Sequence, residues 1–523
     1  MSGSVGVGGA PMHAQPLHGL AGRGWARPAG LSPARLYILC GSWVLAASLA
    51  GSGSYGTLGA MVVVALGLAY ACAARRLPLW QGIVLLTVCC YILLNRGFGY
   101  VGVMLGTAPL LMGELTTAAA LTLLPHRRVL AKIRREGVFV LMILWMAYGT
   151  LIVMASAPSL SVNILKDASL ILYAIYFYFG YAVFITARSY RSVLGMLYLT
   201  FFLHFAYLFG FPQDVLIQNE SPKVLYELGL FGHYNQGDVH LVGGALFFVL
   251  VARFLAPRAS RRLVLVGACY FGTLMFVQSR AGLLTSAVCL ALLIAFGYRR
   301  QLSKLMLGLV GAVFLVVALS SVGIVLEGWK GPVTLDFLGH MVETIFGGGG
   351  GQYEEAGLLG SRESRLSMWM TAAAPSFQSP TALVFGRGFH ELLIDIELTT
   401  GWIKRSPHNS FVTIFARLGL IGLILFVVFH VLFVRYVARA LRFVSEQRLG
   451  FPKALLTWMG LYYVSFNIGA FFGVVYDTPY MAAPAYFIMG CAYGLSTVVL
   501  SGRSREPTPE EAVALAAMEE SKE

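Results

Sequence analysis

Residues 404–434 read KRSPHNSFVTIFARLGLIGLILFVVFHVLFV, and the fold is decided there. The stretch opens with two cations and breaks at Pro407. From Asn409 to Val434 it is then almost continuously apolar, with Arg417 as the sole charged residue. About twenty such residues are enough for a helix to cross the hydrocarbon of a bilayer. A histidine and several arginines held where a polar segment meets such a helix are costly in a membrane protein unless the site uses them.

Comparable apolar runs recur along the chain. Hydrophobic residues make up 58% of the 523 and charged residues only 12%, against about a quarter charged in soluble domains. Mean hydropathy is +0.74. The pattern predicts an all-α polytopic membrane protein. Apolar helices are expected at 36–52, 57–73, 78–94, 100–124, 138–155, 168–186, 193–209, 239–256, 263–278, 281–297, 305–326, 409–434, 454–474 and 480–500. That is about 14 transmembrane helices, within a range of 12–14, with a long polar loop between the eleventh and twelfth.

All seven cysteines lie inside apolar segments, so neither a disulfide framework nor a zinc-ligand spacing is present. No Walker A or zincin motif occurs, and no metal or other cofactor is expected. The net charge of +14 comes from short basic clusters between apolar runs, a topology signal rather than a nucleic-acid surface. With the N-terminus inside, every inside connection is basic, and most outside ones carry one positive charge or none. The organisation expected is a disordered cytoplasmic N-terminus (1–35), helices 1–11 (36–326), a periplasmic catalytic loop (327–408), helices 12–14 (409–500) and an acidic cytoplasmic tail (501–523). The five glycines Gly347 to Gly351 read as a flexible joint in that loop.

Several polar residues gather at the expected outer face. Arg280, in the turn Gln278-Ser279-Arg280-Ala281-Gly282, either snorkels to the interface or faces a water-filled cavity and binds an anion. Arg365 and Trp369 are one helical turn apart on a short amphipathic segment suited to the membrane surface. His408 precedes Asn409 at a helix start. Asn409 or Ser410 can cap that helix with His408 incidental, or a neutral imidazole can take a proton from a hydroxyl near pH 7. Lys404 and Arg405 would keep that imidazole neutral by like-charge repulsion. Glu114, within an apolar stretch, reads as the buried partner of an arginine, and Lys166-Asp167 as a cap at a helix end.

In order and spacing, Gln278-Ser279-Arg280-Ala281-Gly282, Arg365-x-x-x-Trp369, Gly386-x-Gly388-x-His390 and His408-Asn409-Ser410 followed by Gly419-Leu420-Ile421-Gly422 resemble the O-antigen ligase and Wzy-type polymerase superfamily. The resemblance covers about 263–435. It implies a glycosyltransferase class C-like, inverting, metal-independent enzyme in the bacterial inner membrane, active at the periplasmic face. Its donor would be a glycan on undecaprenyl diphosphate. Arg280 and Arg365 would bind the diphosphate and His408 would deprotonate or orient the acceptor hydroxyl. Lys166, Lys404, Arg405, Asn409, Arg417 and Trp369 are the further candidates for holding substrate. Membrane lipid, a flippase and a chain-length regulator would be the partners.

Three activities fit. A polymerase would join repeat units for an exopolysaccharide or O-antigen, and the long outer loops favour it. A ligase would move the finished glycan to lipid A core or another acceptor. A transporter or flippase for lipid-linked oligosaccharides would instead leave charges at several membrane depths and show internal repeats. No convincing repeat is visible.

Overall fold

A computed structural model describes residues 77–99, 102–105, 108–133, 137–156, 167–186, 190–210, 237–277, 279–324, 326–328, 331–336, 360–389, 392–394, 396–397, 403–404 and 406–501, with residues 67, 164, 339 and 343. The first half comprises α1 (Leu79–Gly99), the strands β1 (Gly102–Leu105) and β2 (Ala108–Leu111), then α2 (Met112–Leu123), α3 (His126–Ile133) and α4 (Gly137–Ser156). Helices α5 (Ser169–Leu172), α6 (Ile175–Thr186), α7 (Tyr190–Gly210), α8 (Gly237–Leu250) and α9 (Ala252–Leu255) follow. After a single 3-10 turn come α10 (Ser260–Gly272), α11 (Leu274–Val277), α12 (Arg280–Ala295) and α13 (Arg299–Ser321). The remainder is β3 (Glu327–Gly328), β4 (Gly331–Pro332), α14 (Gly360–Phe377), α15 (Pro380–Phe385), β5 (Ile396–Glu397), β6 (Ile403–Lys404), α16 (Ser410–Glu446), α17 (Gly450–Phe472) and α18 (Pro479–Leu500). Each strand pair is a small antiparallel ribbon.

Among the described residues, seven helices are long and apolar enough to cross a membrane, and four shorter apolar helices accompany them. The chain is a multi-pass membrane protein. Helices α6 and α18 lie at its centre, buried along most of their length, whereas α13 is almost wholly exposed. A helix that is apolar all round belongs in a bundle interior or against lipid, and both cases occur here.

Hydrophobicity does not drive helices together inside a bilayer, so small residues that let backbones approach do much of the packing. A Cβ on Gly180 of α6 would overlap the Phe487 carbonyl of α18, and one on Gly490 would overlap the Phe177 carbonyl. Around that crossing Tyr493 packs against Phe177, with ring centroids 5.6 Å apart, and against Tyr181 at 5.8 Å. Several polar side chains in the interior find partners across helices. The His240 imidazole meets the Tyr462 hydroxyl at 2.6 Å, and Trp458 Nε1 donates to the Gly243 carbonyl at 2.8 Å.

Two expectations change. The stretch 100–124 is not one helix: β1 and β2 form a hairpin with Gly102 opposite Leu111, and α2 follows. Gly102, Gly106 and Pro109 disfavour helix there, and the 12 residues of α2 rise only about 18 Å, too little to cross a bilayer. The twelfth expected span ends at Glu446 instead of Val434, because Arg435, Arg439 and Arg442 are helical positions rather than loop charges. The expected helices at 36–52 and 57–73, the glycine run 347–351 and the tail after Ser501 lie outside the described residues.

Replacing Gly180 by leucine should force α6 and α18 apart and lower stability by about 3 kcal/mol or more. Thermal unfolding of the purified protein would show it, and an unchanged melting temperature would refute the close crossing.

Candidate functional site

Helix α16 starts at a cap. Asn409 Oδ1 accepts from the amides of Phe411 at 3.0 Å and Val412 at 3.1 Å, as an N-cap side chain should. Just before it, His408 has a φ of +53°, in the left-handed region. A non-glycine residue stays in that region only where its surroundings hold it, and such residues concentrate at functional sites. Several contacts hold this turn. Trp369 Nε1 of α14 donates to the Pro407 carbonyl at 3.0 Å, and its ring packs on Phe471 with centroids 5.3 Å apart. The His408 amide lies 3.4 Å from Ser406 Oγ, and that hydroxyl donates to Asp477 Oδ2 at 3.2 Å.

Asp477, between α17 and α18, is the hub of this corner. Thr413 Oγ1 donates to its Oδ2 at 2.8 Å, and Ser169 of α5 donates to its carbonyl at 2.6 Å. Its Oδ1 is shielded from solvent with no hydrogen-bond partner among the described residues. Burial pushes its carboxyl up to about 6, and the negative charge of Asp167 adds to the rise, while the hydroxyls of Thr413, Ser410 and Ser406 oppose it.

The arginines approach from two directions. Arg365 stands one turn before Trp369 on α14, so both project on the side of that helix facing the His408 turn. Met368 and Ala372 seat α14 against Leu393, Ile394 and Ala416, leaving Leu366, Met370 and Phe377 exposed. That leaves its outer face apolar, as in a helix lying along a membrane surface. Arg280 begins α12, where Ser279 caps the helix by accepting from the Gly282 amide at 3.1 Å and donates to the buried Asp238 at 2.8 Å. Arg280 and Arg365 are near enough to repel one another. Burial holds the Arg365 guanidinium below the usual arginine range. Two half-buried guanidinium groups near enough to feel one another suit a ligand carrying two adjacent negative groups.

Arg417 does something different. It is 2% exposed, pairs with Asp167 at 2.8 Å and donates to the Gly388 carbonyl at 2.9 Å. Two residues on, Gly419 (φ +64°) interrupts α16. The carbonyls freed by the break are taken up: Ala416 accepts from the Arg387 amide at 2.8 Å, Arg417 from the Gly388 amide at 3.0 Å, and Leu418 from the Tyr148 hydroxyl at 2.9 Å. Gly386, with φ +84°, lies so close that a Cβ would overlap the Arg417 carbonyl.

Of the sequence candidates, Trp369 and Asn409 are therefore joined to the turn that carries His408, Arg365 stands one helical turn before Trp369, and Arg280 is near enough to Arg365 to feel its charge. Arg417 lies deeper, engaged with protein groups. Lys166 and Arg405 lie outside the described residues, as does the side chain of Lys404. Among the described residues Glu114 does not pair with an arginine; its carboxylate accepts from the Leu111 amide at 3.3 Å and caps α2. Asp477 escaped the sequence reading, since GVVYDTPY shows one acid in a short connection and nothing local ties it to Ser406. Among the described residues no three His, Cys, Asp or Glu side chains gather as a metal-holding group.

Residues 263–427 match the family model described as O-antigen ligase. The O-antigen ligase and Wzy-type superfamily is thereby supported. No curated protein matches the chain. The matched stretch runs from α10 past the Gly419 break and contains Arg280, Arg365 and His408. Enzymes of the O-antigen ligase family are membrane glycosyltransferases acting on lipid-linked glycans. Asp477 falls beyond the match.

Two measurements check this geometry. Because the folded pKa of Asp477 is raised from its ordinary 3.8 to about 6, its contribution to stability is full below about pH 4 and is lost as pH rises through about 6. The melting temperature of the wild type should therefore fall relative to that of Asp477→Asn between about pH 4 and about pH 6 and level off above; a constant difference would contradict the assignment. Arg417→Ala should cost about 3 kcal/mol in the same assay by breaking the ion pair with Asp167 and the hydrogen bond to the Gly388 carbonyl.

Proposed function

We infer that the chain transfers a glycan from undecaprenyl diphosphate to an acceptor hydroxyl at the periplasmic face of the bacterial inner membrane. What supports this reading is the match of residues 263–427 to the O-antigen ligase model, together with a stretch in which Arg280 lies near Arg365 and Trp369, one turn after Arg365, holds the Pro407 carbonyl beside His408. The bond between the anomeric carbon and the diphosphate oxygen breaks, and the diphosphate leaves with the electron pair. A guanidinium pair fixed in advance stabilises the charge that develops on it. The acceptor oxygen attacks from the opposite face, its proton passes to the His408 imidazole, and the configuration inverts. On this reading the positive charge comes from the two arginines, without a metal.

The long segments between spans favour a polymerase, which joins repeat units while they remain lipid-linked. The description of the matching family model favours a second reading, ligation to lipid A core or another acceptor. Purified protein incubated with a labelled undecaprenyl-diphosphate repeat unit and no other acceptor separates them. Longer lipid-linked chains identify a polymerase; transfer only after lipid A core is added identifies a ligase. No transfer in either case, with label crossing liposomes, would replace both readings by transport.

His408→Asn should lower turnover on the order of a hundredfold or more, since asparagine accepts a left-handed backbone but takes up no proton. Arg365→Ala should lower it by a similar factor. Activity within about twofold of wild type in both variants would remove these residues from the mechanism.

A further inference from the structure

The end of α16 remote from His408 carries a second feature. After the break at Gly419, the outward face of this helix exposes Leu420, Ile424, Val427, Val428, Val431 and Val434. Those positions extend about 21 Å along the axis and face the hydrocarbon of the bilayer. The same face then changes character. Arg435, Arg439 and Arg442, at spacings of four and three, continue the row, and all three are exposed. Among the described residues none of them makes a hydrogen bond or ion pair.

These arginines flank a groove of about 630 Å³ between α16 and the first turn of α4, at Gly137 and Val138. Tyr436 and Tyr493 line it too, their ring centroids 4.6 Å apart. A Cβ on Gly137 would meet nothing within 4 Å, so the start of α4 leaves the groove open. The lining contains no acidic residue, and Arg134, Arg135 and Glu136, net basic, precede α4 in the sequence.

We propose that this groove binds an anionic phospholipid of the bilayer, its phosphate among Arg435, Arg439 and Arg442 and an acyl chain along Leu432 and Val434. Charge complementarity and continuity with the lipid-facing side of α16 select this occupant. A soluble anion would leave the apolar floor bare, and an apolar partner would bury three unpaired arginines. The basic bias of the inside connections assigns the groove to the cytoplasmic leaflet, where phospholipid headgroups meet juxtamembrane arginines. The site is separate from the His408 region and does not depend on the glycosyltransferase reading.

The test uses full-length protein in nanodiscs of phosphatidylcholine with a minor fraction of phosphatidylglycerol. Lipid retained on extraction is counted by native mass spectrometry. Wild type should retain phosphatidylglycerol selectively, and a photoactivatable phosphatidylglycerol should label residues around 137–138 and 432–442. The triple variant Arg435→Gln, Arg439→Gln, Arg442→Gln should lose on the order of a hundredfold in selectivity, at roughly fivefold per arginine. The corresponding lysine variant should keep most of it, which guards against a folding defect in the glutamine variant. Equal retention by wild type and the glutamine variant overturns the proposal. So does labelling elsewhere, full competition by inorganic phosphate (a bare anion site), or stronger binding of a polyprenyl phosphate than of phosphatidylglycerol.

Discussion

A membrane helix that breaks must satisfy the carbonyls it releases, because the surrounding hydrocarbon offers no water to do so. At Gly419 that requirement shapes the site region. The backbone of Arg387 and Gly388 and the Tyr148 hydroxyl accept the task, and the Arg417 side chain reaches back to Gly388 while pairing with Asp167. The loop after α15, the middle of α4 and the start of α5 are thus tied to one point on α16. Everything on the His408 side of the break inherits its position from that clamp.

The corner is rigid for a second reason. The turn from Ser406 to Asn409 is held by Trp369 from α14 and by Asp477 from the connection between α17 and α18. Helix α14 is itself seated through Met368 and Ala372, so Arg365 is delivered by a packed helix. Elements far apart in sequence converge because each supplies one hydrogen bond to the same short turn.

The membrane class and most spans were legible in the sequence, because twenty apolar residues in a row permit few structures other than a crossing helix. Apolarity alone does not separate a helix from a hairpin, which is why 100–124 was misread; Gly102, Gly106 and Pro109 were the available signal. The end of α16 was lost for the opposite reason, since Arg435, Arg439 and Arg442 resemble loop charges until their helical spacing is counted. In the site, Arg365 and Trp369 were legible as a one-turn pair and Asn409 as a cap. Asp477 and the pairing of Arg417 with Asp167 were not, for their partners lie tens to hundreds of residues away and no local pattern announces them.

The acid that anchors the turn also makes the corner a proton-counting device. Arg417, Asp167 and Asp477 form one electrostatic neighbourhood, in which Asp477 takes up a proton at about pH 6. Protonation of Asp477 removes one negative charge from that neighbourhood. On the proposed reading, a diphosphate entering beside the first turn of α16 would meet less repulsion on the acidic side of that transition.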